Sequence, residues 1–321
     1  MKVLIVGGAG YLGGAVTDLL SEQNGYEFRV YDALLYEHSF LKPVDFVYGD
    51  IRDHKRLLPQ LKWADAVVWL AALVGDGACA VNPDITIEVN NDTLSWLAQK
   101  YDGRIIFTST CSVYGATDGL LDEHSPTNPL SVYAVTKLAA EKKLRGKNAM
   151  VFRLGTLFGL SDQYSRIRLD LVVNTLTVKA HQEGKLKIYG GKQYRPILHV
   201  HDAAQAIIDN ITTKHTGIYN LHKQNVKIAD LAEEIQKHFP RLKVEKVDMK
   251  FEDLRNYRVT SDKAKKAFGF SPKLTSSDGI LELKKILDEG RIKDLDNPLY
   301  TNQAYLTKCG AHRQYPEKEW M

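Results

Sequence analysis

The chain has 321 residues, 44% of them hydrophobic and 26% charged, which supports a sizeable buried core and excludes disorder as a global description. Its net charge of +4 arises wholly in the last quarter, since 17 basic and 13 acidic side chains lie in 241–321 while 1–240 is balanced. So thin an excess lacks the dense basic stripe of a nucleic-acid binder and suggests at most a small anionic ligand.

The opening MKVLIVGGAG has glycines where a secretory apolar region would continue. The longest apolar run, 66–75, is about half a membrane span and is bracketed by Asp65 and Asp76. Cys79, Cys111 and Cys309 suit neither a disulfide framework nor a zinc site. A cytoplasmic protein with no membrane segment and no bound metal is expected.

In chain order, 2–6 reads as a strand, 11–22 as a helix, and 27–31 and 46–48 as strands. Residues 64–70 (ADAVVWL) read as a buried strand, 83–100 as one helix, 104–109 as a strand, 131–144 as a helix and 149–154 as a strand. This alternation predicts an α/β fold, a doubly wound, Rossmann-type parallel sheet covered on both faces. Beyond about residue 160 the rhythm breaks. Helices are expected at 169–182 and 229–239, strands at 185–189 and 243–247, with glycine- and proline-bearing links between them. These form a smaller, interleaved α/β substrate domain. The expected division is 1–165 with about 197–225 for the dinucleotide, and 166–196 with 226–321 for the substrate. The last 20 residues read as a loosely packed tail.

GGAGYLGG follows the first strand and opens a helix, with Gly7, Gly10 and Gly13 at G-x-x-G-x-x-G spacing. Glycines there permit a tight turn and a close approach to a pyrophosphate, which the free N–H groups of the helix N-terminus attract. The next strand ends in Asp32, 25 positions after Gly7, where a carboxylate accepts hydrogen bonds from the adenosine ribose and repels a 2′-phosphate. No arginine follows in ALLYEH to offset that repulsion, so NAD is favoured over NADP.

Tyr133 and Lys137 in SVYAVTK share one helix face at i, i+4. A lysine cation beside a phenol lowers its pKa and readies it for proton transfer. Strand 104–109 runs into Thr110, Cys111 and Ser112, at the sheet end where such folds open their ligand crevice. Cys111 has no activating base in sequence, so packing or a place in the substrate wall suits it better than nucleophilic attack. His199 and His201 alternate on an expected strand, but no third ligand stands at metal-binding spacing.

From residue 2 to about 273 the sequence resembles the extended short-chain dehydrogenase/reductase family, in its NAD-dependent nucleotide-sugar epimerase, dehydratase and reductase group. The resemblance rests on the glycine loop, on GDIRD (49–53), on WLAAL (69–73), and on EHSPTNPLSVYAVTK, which matches E-x-x-P-x-x-P-x-S-x-Y-x-x-x-K. It implies Tyr133 as general base and acid, Lys137 as the group orienting the ribose, and Thr110 as the assisting hydroxyl. It implies cofactor contacts from Gly7, Gly10, Tyr11, Leu12, Gly13, Asp32, Asp50, Ile51, Leu70, Ala71, Ala72, Leu73, Asn90 and Thr108. For a nucleoside-diphosphate sugar it implies Cys111, Ser112, Thr156, Asn174, Arg195 and Arg255, the two arginines suiting bidentate phosphate recognition. It also implies a homodimer built on roughly 90–100 and 132–144.

The family's 4,6-dehydratases carry Asp and Glu directly after the threonine. Cys111 and Ser112 stand there in this chain, which disfavours dehydration. Epimerisation, with C4 as the expected centre, leads over a net 4-dehydrogenase or ketoreductase. A non-catalytic NAD(H)-binding sensor or scaffold is the alternative of a different class.

Overall fold

The apolar runs KVLIV and AVVW are too continuous for a sheet with one wet face, and every residue of the second is buried. The computed structural model describes residues 1–37, 39–247 and 256–309. Its first half contains β1 (Lys2–Val6), α1 (Tyr11–Ser21), β2 (Glu27–Asp32), β3 (Asp45–Tyr48), α2 (His54–Trp63), β4 (Ala66–Trp69), α3 (Asp76–Val81), α4 (Pro83–Ile87) and α5 (Thr93–Lys100). There follow β5 (Arg104–Thr110), β6 (Ala116–Leu121), α6 (Val132–Lys143), β7 (Ala149–Leu154), β8 (Thr156–Phe158) and α7 (Val172–Glu183). Next come β9 (Lys185–Tyr189), β10 (Tyr194–His199), α8 (Val200–Asp209), β11 (Gly217–Leu221), β12 (Gln224–Lys227), α9 (Ile228–His238) and β13 (Lys243–Val247). The last elements are β14 (Asn256–Val259), α10 (Asp262–Phe268), α11 (Ser276–Asp288) and α12 (Asn302–Cys309).

Seven strands form one sheet in the order β11-β7-β5-β4-β1-β2-β3, with every neighbouring pair parallel. One face buries residues of α1, α8 and α10, such as Val16, Leu20, Ile207 and Ala264. The other buries residues of α2, α5 and α6, such as Leu57, Leu61, Leu97 and Ala140. The doubly wound sheet read from sequence is therefore present. Its strand order reverses between β1 and β4, the switch point where such sheets open their crevice.

A second core, with Phe158, Val173, Leu186, Ile188, Leu231, Ile235 and Ile280, gathers β8, β9, β10, α7, α9 and α11. Here the expectations need adjusting. Two helices within 226–321 pack on the main sheet instead, because Ala264 of α10 and Leu306 of α12 join its two cores. The expected tail therefore begins as an ordered helix, whose buried Leu306 shares a cluster with Leu73 and Cys79. His199 and His201 do not alternate on a strand. His199 ends β10 and accepts from the His201 backbone N–H at 3.2 Å, while His201 already lies in α8. No group of three candidate metal ligands occurs among the described residues, and none of their helices is long and apolar enough to cross a membrane.

The expected single helix 83–100 is interrupted by a π turn at Glu88–Asp92. Such turns often mark functional sites, and this one contains the buried Asn90.

Candidate active site

The site opens where β1 and β4 diverge. Gly7 has φ +85°, and a Cβ on it would lie 2.4 Å from the Ala71 nitrogen. A Cβ on Gly13 would lie 2.6 Å from the Gly7 oxygen, so both positions exclude any side chain. Gly10 caps α1 without a side-chain hydrogen bond. The first-turn N–H groups, which have no intrahelical partner, are thus left for a ligand. Gly7, Gly10, Tyr11, Leu12 and Gly13 line a cavity of 730 Å³.

Asp32 lines the same cavity from the end of β2. Its oxygens accept from the Ala9 N–H at 3.0 Å and the Leu34 N–H at 2.7 Å, which fixes the carboxylate's direction. Burial raises its pKa, and backbone hydrogen bonds from Leu34, Ala9 and Ala33 oppose the rise. Leu34, a non-glycine residue at φ +52°, takes a strained conformation beside that contact. Asp50, Ile51, Leu70, Ala71, Ala72 and Thr108 also line the cavity. Leu73 and Asn90 do not. Leu73 faces the core, and Asn90 clamps its backbone, accepting from the Leu73 N–H at 2.8 Å and donating to its carbonyl at 2.9 Å. Asn90 is thereby a support for the strand end, two residues beyond Ala71.

The expected catalytic residues converge on this cavity. β5, buried throughout, delivers Thr110 at its carboxyl end. Ser131 caps α6, accepting from the Ala134 N–H at 3.2 Å, and so sets Tyr133 in the first turn. Tyr133 shares a side-chain hydrogen bond with Thr110. One turn on, the buried Lys137 donates to the Thr108 carbonyl at 2.9 Å, and its nitrogen lies 4.8 Å from the Phe107 ring centre.

Burial pushes the Tyr133 phenol above its usual range; Cys79 and Asp76 add to the rise, while Arg168 and the Thr110 hydrogen bond oppose it. The opposing cation is therefore Arg168, where the sequence pointed to Lys137. The reason is orientation, since the Lys137 ammonium is turned to the Thr108 carbonyl.

On the substrate side Ser112, Thr156 and Arg195 line the cavity. The Ser112 hydroxyl is 3.3 Å from that of Tyr257, and Arg195 donates to the Tyr194 carbonyl at 2.8 Å. Two expected contacts are absent from the wall. Cys111 is fully buried, its thiol donating to the Arg153 carbonyl at 3.2 Å and pushed up in pKa by burial. Asn174 spends its amide on backbone, accepting from Gly159 N–H at 3.0 Å and donating to the Gly159 carbonyl at 3.1 Å and the Arg168 carbonyl at 2.8 Å. Arg255 lies outside the described residues. The cavity also has walls that sequence reasoning missed, among them Tyr36, Glu37, Arg166, Arg168, Asp170, Lys179, Lys187, Tyr257 and Asn302. The run RIRLD (166–170) carried a signal, with two arginines and an aspartate at alternate positions; Asn302 carried none.

A family model described as the NAD dependent epimerase/dehydratase family matches residues 3–221. The chain belongs to this family. NAD is the family's cofactor, in line with the choice read from Asp32. Among curated relatives, a UDP-glucose 4-epimerase of Halalkalibacterium halodurans is 29% identical, with 88% of this chain and 94% of the relative covered. A dTDP-glucose 4,6-dehydratase of Streptomyces niveus is 26% identical over 88% of this chain and 91% of its own. Among solved structures, the dTDP-glucose 4,6-dehydratase DesIV of Streptomyces venezuelae, with NAD bound, is 25% identical with a TM-score of 0.79, covering 93% of this chain and 100% of its own. Epimerases and dehydratases thus both stand among the family members it resembles.

Two outcomes are expected. Asp32→Ala weakens NAD binding by roughly tenfold, about 1.4 kcal/mol, and narrows its preference over NADP in calorimetric titration. Equal affinities for both cofactors in the unmodified protein would contradict the reading of Asp32. The second concerns Lys137, whose pKa burial draws down from 10.5 to about 8. Between these values the unfolded chain holds a proton that the fold has released, so stability rises with pH across that window. Below pH 8 the fold carries a charged buried lysine. Lys137→Met is therefore expected to raise stability at pH 7 by on the order of 1–2 kcal/mol, allowing for the lost hydrogen bond. In thermal denaturation the gain should fade as pH climbs from 8 to 10.5; a gain independent of pH would refute this account.

Proposed function

We propose that this protein is an NAD-dependent nucleotide-sugar epimerase acting at C4 through a keto-sugar intermediate. One observation carries the reading: Thr110, Tyr133 and Lys137 line one cavity with the glycine loop and Asp32, while no free carboxylate follows Thr110. Cys111 turns into the core and Ser112 pairs with Tyr257. The other wall carboxylates are engaged. Asp170 holds Arg168 at 2.9 Å, Asp50 holds Arg52 at 2.8 Å, Glu37 accepts from the Arg166 N–H at 2.7 Å, and Asp32 accepts backbone N–H groups. Glu37, raised to about 7 by burial, can exchange a proton but lies in the loop after β2 and not after Thr110. The lack of an acid and a base directly after Thr110 favours epimerisation over dehydration, although relatives of both kinds exist.

The residues fit NAD: glycine positions that a Cβ would fill, an uncapped helix N-terminus and an oriented carboxylate. Bound there, NAD would accept hydride from the sugar carbon and return it to the opposite face. Tyr133 takes the C4 hydroxyl proton as that hydride leaves and gives it back as hydride returns. Thr110 holds the phenol oxygen by its hydrogen bond, and Lys137 lies one helical turn behind it to receive the ribose. Arg195, Lys179 and Lys187 line the remaining wall and supply cations for a diphosphate.

The test is incubation with a panel of nucleotide sugars, read by NMR. Interconversion of two C4 epimers without net NADH is expected, and Tyr133→Phe should lower kcat by roughly 10²–10⁴. Stoichiometric NADH with no inverted product would replace epimerase with dehydrogenase. An unchanged Tyr133→Phe activity would remove Tyr133 from the chemistry, and NAD binding without turnover of any nucleotide sugar would leave the cofactor-binding sensor.

The proposed homodimer would pack α5 and α6, whose surroundings expose Ile87, Leu130 and Val135. Sedimentation showing a monomer at micromolar concentration would overturn it.

A further inference from the structure

One wall of the cavity belongs to no motif. Between β8 and α7 the chain sends Arg166, Arg168 and Asp170 to the cavity, and the start of α12 adds Asn302. Arg166 and Arg168 are each only 9% exposed. Their charges are treated differently. Arg168 is paired with Asp170, whose other oxygen accepts from the Asn302 N–H at 2.9 Å. Arg166 has no carboxylate within ion-pair distance among the described residues. It donates instead to the Leu299 carbonyl at 2.6 Å and to the Asn302 side-chain oxygen, and its guanidinium lies 4.0 Å over the Tyr36 ring. Burial draws its pKa down only to about 10, so it stays a cation at neutral pH. A buried cation with no ion-pair partner is costly, and the more distant charges of Asp170 and Glu37 offset that only in part, so an added anion would stabilise it.

Its neighbours say where that anion belongs. Tyr36 lies in the loop directly after Asp32, and its buried hydroxyl has no hydrogen-bond partner. Arg168 lies 5.8 Å from the ring of Tyr11, the first residue of α1. Asn302 donates to the Val74 carbonyl at 2.8 Å, just beyond β4. Tyr305 of α12 meets Tyr36 at 5.2 Å between ring centres, and α12 approaches α3 so closely that a Cβ on Gly77 would strike Gln303. The loop after β4 and the segment after β8 thus meet at Asn302, and the loop after β2 joins them through Tyr36, which packs on Arg166 and Tyr305.

We propose that Arg166 and Asn302 are the centre of a clasp that closes over the dinucleotide, Arg166 meeting the cofactor's diphosphate from the side opposite α1 and α12 locking it there. This rests on the reading of the cavity as the NAD site. The clasp makes cofactor release, rather than cofactor entry, the slow event. That suits an enzyme whose cofactor is restored at the end of every turnover.

The experiment loads the full-length protein with NADH, mixes it with excess NAD, and follows the loss of bound-NADH fluorescence. Arg166→Gln and Asn302→Ala are each expected to speed release tenfold or more. Asn302→Asp is the discriminating variant. Its carboxylate still accepts from Arg166 and neutralises the cation, although the donor to the Val74 carbonyl is lost, so it too should speed release. Release from the unmodified protein should quicken with salt and release from this variant should not; a purely structural role predicts the same salt response in both. If Asn302→Ala fails to fold, Asn302→Asp and Arg166→Lys decide. Release within twofold of the unmodified rate in folded variants overturns the clasp. Failure of the unmodified protein to bind NADH at all would instead overturn the reading of the cavity.

Discussion

The site depends on one close approach of backbone to backbone. Where Gly7 ends β1 it touches the chain leaving β4, with room for a hydrogen but not a methyl at Ala71. That contact lets α1 start immediately, so its unpaired N–H groups face the crevice at the switch point. It also requires the chain after β4 to stay in place. Asn90 meets that requirement from a π turn, holding Leu73 by both backbone groups. The same asparagine reaches Thr136 at 3.4 Å, between Tyr133 and Lys137 on α6. The chain leaving β4 and helix α6 are therefore braced by a common side chain.

Burial governs the electrostatics of the site. It drives the Tyr133 phenol up, the Asp32 carboxyl up, and the Lys137 and Arg166 cations down. Each of these shifts records destabilisation of a charged or chargeable group. Offsetting contacts are specific: backbone N–H groups for Asp32, a strand-end carbonyl for Lys137, and an aromatic face with two oxygens for Arg166. A ligand with matching charge would relieve what remains.

Two asparagines show how one residue type can brace the backbone around a site. Asn90 and Asn174 both occupy positions where the family resemblance implied ligand contact, and both are buried with their amides satisfied by backbone. A primary amide can donate and accept at once, which suits it equally to a ligand and to a chain reversal. Asn174 carries its influence indirectly, by holding the backbone of Arg168.

Sequence alone determined the features that depend on local spacing. The parallel sheet followed from continuous apolar runs alternating with helical periods, and the cofactor loop from three glycines between a strand and a helix. Asp32, Thr110, Tyr133 and Lys137 were legible because each sits at a fixed offset from an element that its own neighbours specify. The cavity confirms their proximity. What stayed illegible depends on which distant segments meet. Whether Cys111 faces the core or the cavity is decided by the Arg153 carbonyl on the next strand. Which cation opposes the Tyr133 shift is decided by a loop that returns to the site after β8. That a helix at 302–309 packs beside the cavity is decided by contacts from Asn302 to positions 74, 166 and 170. Local periodicity has no access to such pairings, since they exist only once the sheet has brought the loop ends together.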